Sequence, residues 1–95
     1  MLRATYDHRT DTLHLRLGTG PVAGAHRPHP RCQVEIDHAG RVVTIAVHRP
    51  GTAWPVSAII DRYRITGPDQ HLLRLTARRW RQSGPPEAGR PPTLQ

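Results

Sequence analysis

Between Arg31 and Arg49 the chain reads RCQVEIDHAGRVVTIAVHR, and on either side of its centre every second side chain is apolar. Cys32, Val34 and Ile36 make the first set, and Val43, Ile45 and Val47 the second. A repeat of two marks strands that bury one face. The stretch predicts a β-hairpin against which the rest of the chain must pair or pack. With the tip at His38–Arg41, around Ala39-Gly40, Ile36 opposes Val43, Val34 opposes Ile45 and Cys32 opposes Val47. A three-residue loop with Gly40 as a bulge is the rival turn, and it would set Val34 against Thr44. The first register brings the apolar sets together and is the one expected.

A second hairpin precedes it. Leu2, Ala4 and Tyr6 alternate with polar residues, as do Leu13, Leu15 and Leu17. Pairing Tyr6 with Leu13 and Ala4 with Leu15 puts all six on one face. The intervening Asp7-His8-Arg9-Thr10-Asp11 is turn-rich, and both Asp side chains are suited to holding backbone N–H groups. Gly18-Thr19-Gly20-Pro21 ends the strand. Val22–Arg27 reads as a short extended piece, after which Pro28 and Pro30 are expected to prevent regular pairing.

Beyond Pro50-Gly51-Thr52-Ala53 the period changes. Pro55 suits a helix's first position, and Val56, Ile59, Ile60 and Tyr63 follow at helical spacing, a stripe able to cover the sheet. Gly67-Pro68 stops that helix, and Asp69 is placed to cap a second over Gln70–Gln82. Its wheel sets Leu72, Leu73, Thr76 and Trp80 against Arg74, Arg78 and Arg81. A third hairpin, Tyr63–Thr66 with Leu73–Ala77, is the alternative, since short apolar runs do not settle the period by themselves. The expected fold is therefore α+β, a four-stranded, mainly antiparallel sheet of two β-hairpins with one or two C-terminal helices packed on one face. Residues 1–82 form the single domain, and the Pro/Gly-rich residues 83–95 are expected to be a disordered tail.

Ninety-five residues allow one domain with a modest core, which a homodimer would help to stabilise. The 14 basic residues outnumber 7 acidic ones, a balance that points to an anionic partner. All 14 are arginine, a bias that GC-rich coding also produces, so the charge count needs a structural context to carry weight. One cysteine excludes an intrachain disulfide and suits a reducing compartment. No apolar run approaches the roughly 18 residues of a membrane span, and the first strands do not read as a signal peptide. A soluble, cytoplasmic protein without a membrane partner is expected.

Several groups of residues are candidates for chemistry. The register sends His14, Arg16, Gln33, Glu35, Thr44 and His48 to the face opposite the core. A histidine oriented by a carboxylate is the usual acid–base pair, which makes His14, Glu35 and His48 the candidate catalytic set. The other reading of that face is an ordinary wet sheet. His26, His29 and Cys32 carry ligand atoms for zinc, but they lack a fourth ligand and paired short spacings, and Cys32 belongs in the core. No metal site or cofactor is expected. Cys32 reads as a small core residue rather than a nucleophile, and Asp7 and Asp11 as loop holders rather than a catalytic pair. Arg62, Arg74, Arg78 and Arg81, with Arg64, are the candidate anion- or partner-binding residues, the trio at 74, 78 and 81 sharing one helical face. Trp54 and Trp80 are expected in the core or at a dimer interface.

Tyr6-Asp7, Asp11, Leu13 and Leu15-Arg16-Leu17, followed by Asp37, Gly40, Arg41-Val42-Val43 and Ile45, carry a resemblance. Over residues 3–50 the chain resembles a small bacterial family known as a domain of unknown function, number twenty-two eighty-three. Its pattern runs Tyr-Asp-x-x-x-Asp-x-Leu, a loop, then Asp-x-x-Gly-x-Val-Val-Gly-Ile-Glu-Ile. The resemblance implies a compact antiparallel sheet backed by a helix. Some family members are encoded beside small toxin-like ribonucleases, so it also implies an antitoxin-like role with such a ribonuclease as partner. This chain has Thr44-Ile45-Ala46-Val47 where the pattern has Gly-Ile-Glu-Ile, so a role of that glutamate does not transfer.

Two functions remain in view. One is a small cytoplasmic binding or accessory protein that docks a protein partner or nucleic acid through the Arg62–Arg81 surface. The other is a small biosynthetic enzyme of cyclase or isomerase type, taking a small-molecule ligand on the polar sheet face around His14 and Glu35.

Overall fold

The computed structural model describes residues 2–83. Five strands, β1 (Arg3–Asp7), β2 (Thr12–Arg16), β3 (Gly24–His29), β4 (Cys32–Ile36) and β5 (Val42–His48), precede two helices, α1 (Val56–Tyr63) and α2 (Gly67–Ser83). The strands form one antiparallel sheet in the order β1-β2-β5-β4-β3. The α+β class is as expected, with one strand more than the four anticipated. The tail expected from residue 83 onward lies outside the described residues, apart from Ser83 at the end of α2.

The additional strand is β3. Pro28 was expected to prevent pairing, yet Gly24, Ala25, His26 and His29 all pair with β4, with a register break between His26 and His29. Proline lacks an N–H, and an edge position tolerates that loss because the outer side of the strand has no ladder to complete. The connection from β2 to β3 passes over one end of the sheet. Leu17 and Gly18 N–H groups donate to the Val43 carbonyl at 2.8 and 3.2 Å, and Ala23 N–H to the Ile36 carbonyl at 2.8 Å. A Cβ on Gly18 would lie 3.3 Å from the Val42 carbonyl oxygen, so this crossover runs close to β5.

In the first hairpin Ala4 opposes Leu15 and Tyr6 opposes Leu13, as expected. The central hairpin combines both of its candidate registers. At the tip the loop is the three-residue His38–Gly40, with Gly40 at φ 81° and Ile36 opposite Val42. Asp37 Oδ1 accepts the Ala39 and Arg41 N–H groups, both at 2.9 Å. A bulge beside Glu35 and Ile36 then inserts one residue into β5. Beyond it Glu35 meets Thr44, Val34 meets Ile45 and Cys32 meets Val47. Ile36 therefore does not face Val43, because the rival turn is present and the bulge restores the apolar match.

The core lies between the sheet and both helices. Leu13, Leu15, Cys32, Val34, Ile45 and Val47 pack with Trp54, Ile59, Ile60, Ile65, Leu73, Ala77 and Trp80. Helix α1 is where the spacing predicted it. Residues Leu73–Ala77 lie within the helix α2, so the third hairpin does not form. Helix α2 begins at Gly67, ahead of the Asp69 cap expected from the sequence, and Asp69 sits in its first turn, where an acidic side chain favours the helix dipole. Trp54 and Trp80 are both buried, and Trp80 meets the Tyr6 ring at 4.7 Å between centroids. Among the described residues no helix is long and apolar enough to cross a membrane.

Candidate functional site

Helix α2 presents its buried residues Leu73, Ala77 and Trp80 to the core, which turns Arg74, Arg78 and Arg81 outward. There they meet the start of α1. Val56, Ser57, Arg74, Ala77, Arg78 and Arg81 line a groove of about 230 Å³ between the two helices. The Arg74 Nη1 donates to Ser57 Oγ at 2.9 Å and anchors one wall. No acidic side chain is among the lining residues. Three guanidiniums on an open surface offer planar, permanently charged donors matched to phosphate or carboxylate oxygens. Arg62 is not part of this group. It stands at the far end of α1, where its guanidinium lies 5.5 Å from the Tyr63 ring centroid.

The polar sheet face is uncovered, because both helices pack on the other side. His14, Gln33, Glu35, Thr44 and Ala46 line a shallow depression of about 170 Å³. Glu35 opposes Thr44, as the register required, and Glu35 Oε1 accepts the Thr44 hydroxyl at 2.6 Å. His14 and Glu35 share the depression but do not form an acid–base pair. Strand β5 separates their strands, about 9–10 Å of sheet, and no hydrogen bond joins them. His48 lies outside the depression and reaches Thr12 instead, 3.5 Å between Nδ1 and Oγ1.

The remaining candidates separate. His26 Nδ1 lies 3.3 Å from the Tyr63 hydroxyl, and His29 Nδ1 accepts the Arg31 N–H at 3.1 Å. Cys32 is buried in the core, where burial pushes its thiol pKa up despite the opposing charge of Arg31. Among the described residues no three His, Cys, Asp or Glu side chains come together as a metal site. Asp7 Oδ1 accepts the Arg9 N–H at 2.9 Å, a loop-holding role as expected. Asp11 instead accepts the Tyr6 hydroxyl at 2.7 Å, at a left-handed φ of 50°.

Two features escaped the sequence reading. Arg31 clamps the link between the sheet and α1. Its Nη1 donates to the His48 and Arg49 carbonyls at 3.3 and 3.2 Å and to Thr52 Oγ1, and its Nη2 to the Ala53 carbonyl. These contacts join positions distant in sequence, so no local spacing signals them. A cleft of about 410 Å³ also lies at the crossover end of the sheet, bordered by Thr19, Asp37, Arg41, Tyr63, Arg64 and Asp69. It brings together one loop, one turn and the junction of the helices, and only the tertiary fold does so. No family model matches this chain, nor does any curated protein or solved structure.

Proposed function

We propose that this is a non-enzymatic binding protein whose Arg74–Arg78–Arg81 groove docks the phosphate backbone of a nucleic acid. The observation that carries the reading is the convergence of three arginines on one groove whose other lining residues are uncharged. Excess positive charge over the chain, +7, adds long-range attraction to the same class of partner. A toxin-like ribonuclease, the partner implied by the family resemblance, needs cationic groups of its own to hold RNA, and two cationic surfaces repel. An antitoxin-like role would therefore require an acidic face on such a ribonuclease.

The test is fluorescence anisotropy of labelled single-stranded RNA and duplex DNA across a salt series. The logarithm of affinity should fall with the logarithm of salt concentration at a slope of roughly −2 to −3 for three phosphate contacts. Arg74→Ala with Arg78→Ala should flatten that slope by about 1.5 and weaken binding uniformly across sequences. Affinity that is absent, or unchanged in the double variant, would defeat the proposal.

The enzyme reading rests on the placement of His14 and Glu35 in one depression. At about 170 Å³ that depression is smaller than the roughly 300 Å³ or more usual for small-molecule sites, and Glu35 is engaged by Thr44. The groove is the better-supported site.

A further inference from the structure

The sheet has two edges, and they differ. On β3, Pro28 lacks an N–H and the pairing breaks between His26 and His29, two devices that blunt an edge against further strands. On β1 there is neither a proline nor a break. Its five residues, Arg3 to Asp7, pair in unbroken register with Arg16 to Thr12, and Arg3, Ala4 and Thr5 are exposed. A regular edge strand carries a row of N–H and C=O groups on which another strand can build.

The side chains of β1 specify which strand. Arg3, Thr5 and Asp7 alternate onto the open face, since Thr5 opposes His14 and Arg3 opposes Arg16. Arg3 stands across the ladder from Arg16, a like-charge cross-strand pair, and the Arg16 guanidinium is drawn off to the Gly18 carbonyl at 3.0 Å, leaving Arg3 without an acid on its own chain's neighbouring strand. The strand itself holds the remedy. An antiparallel copy of β1, related by a two-fold axis through Thr5, sets Arg3 against Asp7 of the second copy and Asp7 against its Arg3. Thr5 meets Thr5, a favourable cross-strand pair, and Ala4 meets Tyr6 of the second copy on the helix-covered side. Ala4 faces that side, opposite the buried Leu15, and is nevertheless exposed in the single chain.

We infer that β1 is a self-pairing edge, joining two copies of this chain into one continuous ten-stranded antiparallel sheet, with Arg3–Asp7 pairs on both sides of the axis. The axis stands perpendicular to the sheet, so both helical layers lie on the same side and the two polar faces merge on the other. The inference is independent of what the arginine groove binds.

Sedimentation of the full chain without nucleic acid tests it. The unaltered protein should form a concentration-dependent dimer. Arg3→Asp sets an acid opposite Arg16 within one chain, a favourable cross-strand pair that keeps the fold, but it opposes two acids across the axis. It should weaken the dimer about tenfold, as should Asp7→Arg, which also removes the Asp7–Arg9 turn bond; the double variant R3D/D7R lacks that same bond and should nevertheless restore the dimer. The position of the axis has its own readout. Across an antiparallel pair Cα atoms lie about 4.5–5.5 Å apart, within the span of a disulfide, and Cys32 is buried. Thr5→Cys should therefore yield disulfide-linked dimers under mild oxidation, and Ala25→Cys on the opposite edge should not. A protein monomeric at every concentration, a dimer indifferent to R3D, or crosslinking through Ala25→Cys instead would overturn the inference.

Discussion

Cys32 illustrates how much of one residue's behaviour follows from its place in the pattern. It begins the apolar alternation of β4, pairs with Val47 and is fully buried. Burial disfavours the thiolate and raises the folded-state pKa above the ordinary thiol value of 9.0. The folded protein then holds this proton at a pH where the unfolded chain has released it. The stability so contributed is complete below the unfolded-state pKa and is lost as pH rises through the folded one. The chain has no lysine, so few other side chains titrate in that window. Chemical denaturation should show stability declining above about pH 9, with a shallower decline in Cys32→Ala. An identical decline in the variant would place the titrating group elsewhere. Single residues outside such patterns were less legible. The Asp11 bond to Tyr6 and the four-acceptor clamp of Arg31 arise from approaches that no sequence spacing encodes.

At the level of elements, the central hairpin shows where pattern reading succeeds and where it stops. The pairing of Val34 with Ile45 was legible because a slip by one residue would turn every apolar side chain of a strand to water. The turn was not, because Ala39-Gly40 and His38–Gly40 are both sound loops, and the bulge that reconciles the second with the apolar match shows only as the buried doublet Val42-Val43, which the alternation of Val43, Ile45 and Val47 passes over. Gly40 is required by this turn, at φ 81° with open space around its missing Cβ. Gly40→Ala should therefore cost about 1–2 kcal/mol through backbone strain alone, measurable as a lower urea midpoint with an unchanged slope. A loss of less than a few tenths would mean that the turn adopts another conformation in solution. Strand β3 was missed for a related reason. Pro28 excludes a central strand but not an edge one, and the distinction depends on the sheet order. Helix α1 was legible from its periodicity, whereas α2 stood against a third hairpin because its short apolar runs fit either period. The spacing of Arg74, Arg78 and Arg81 also gave the candidate groove, whereas Arg62, on α1, was grouped with them by sequence proximity and stands apart.

For the whole molecule, the sheet order separates two kinds of pairing. Strands β3, β4 and β5 form a meander of near neighbours, and β1 with β2 a hairpin of their own. Among the described strands the ladder between β2 and β5, which sets Leu15 against Ile45, is the one that joins these units, and the chain between them must return across the sheet end through the Leu17–Ala23 crossover. Local pairs form quickly, whereas a distant pair must first meet the entropy of closing the intervening chain. Docking of the finished hairpin onto the meander is therefore expected to be the slow event in folding. Doubling the closed segment by a flexible insertion at Gly20, where nothing lies within 4 Å of a Cβ, costs about 0.6 kcal/mol of closure entropy. In stopped-flow experiments refolding should slow roughly threefold with little change in the unfolding rate, and an equal insertion at Gly51, outside that loop, should leave refolding as it was. Equal slowing at both places would put the barrier elsewhere. The crossover would then be a kinetic element as well as a connection: its length sets how long the hairpin and the meander exist as separate pieces, each with an uncovered apolar face.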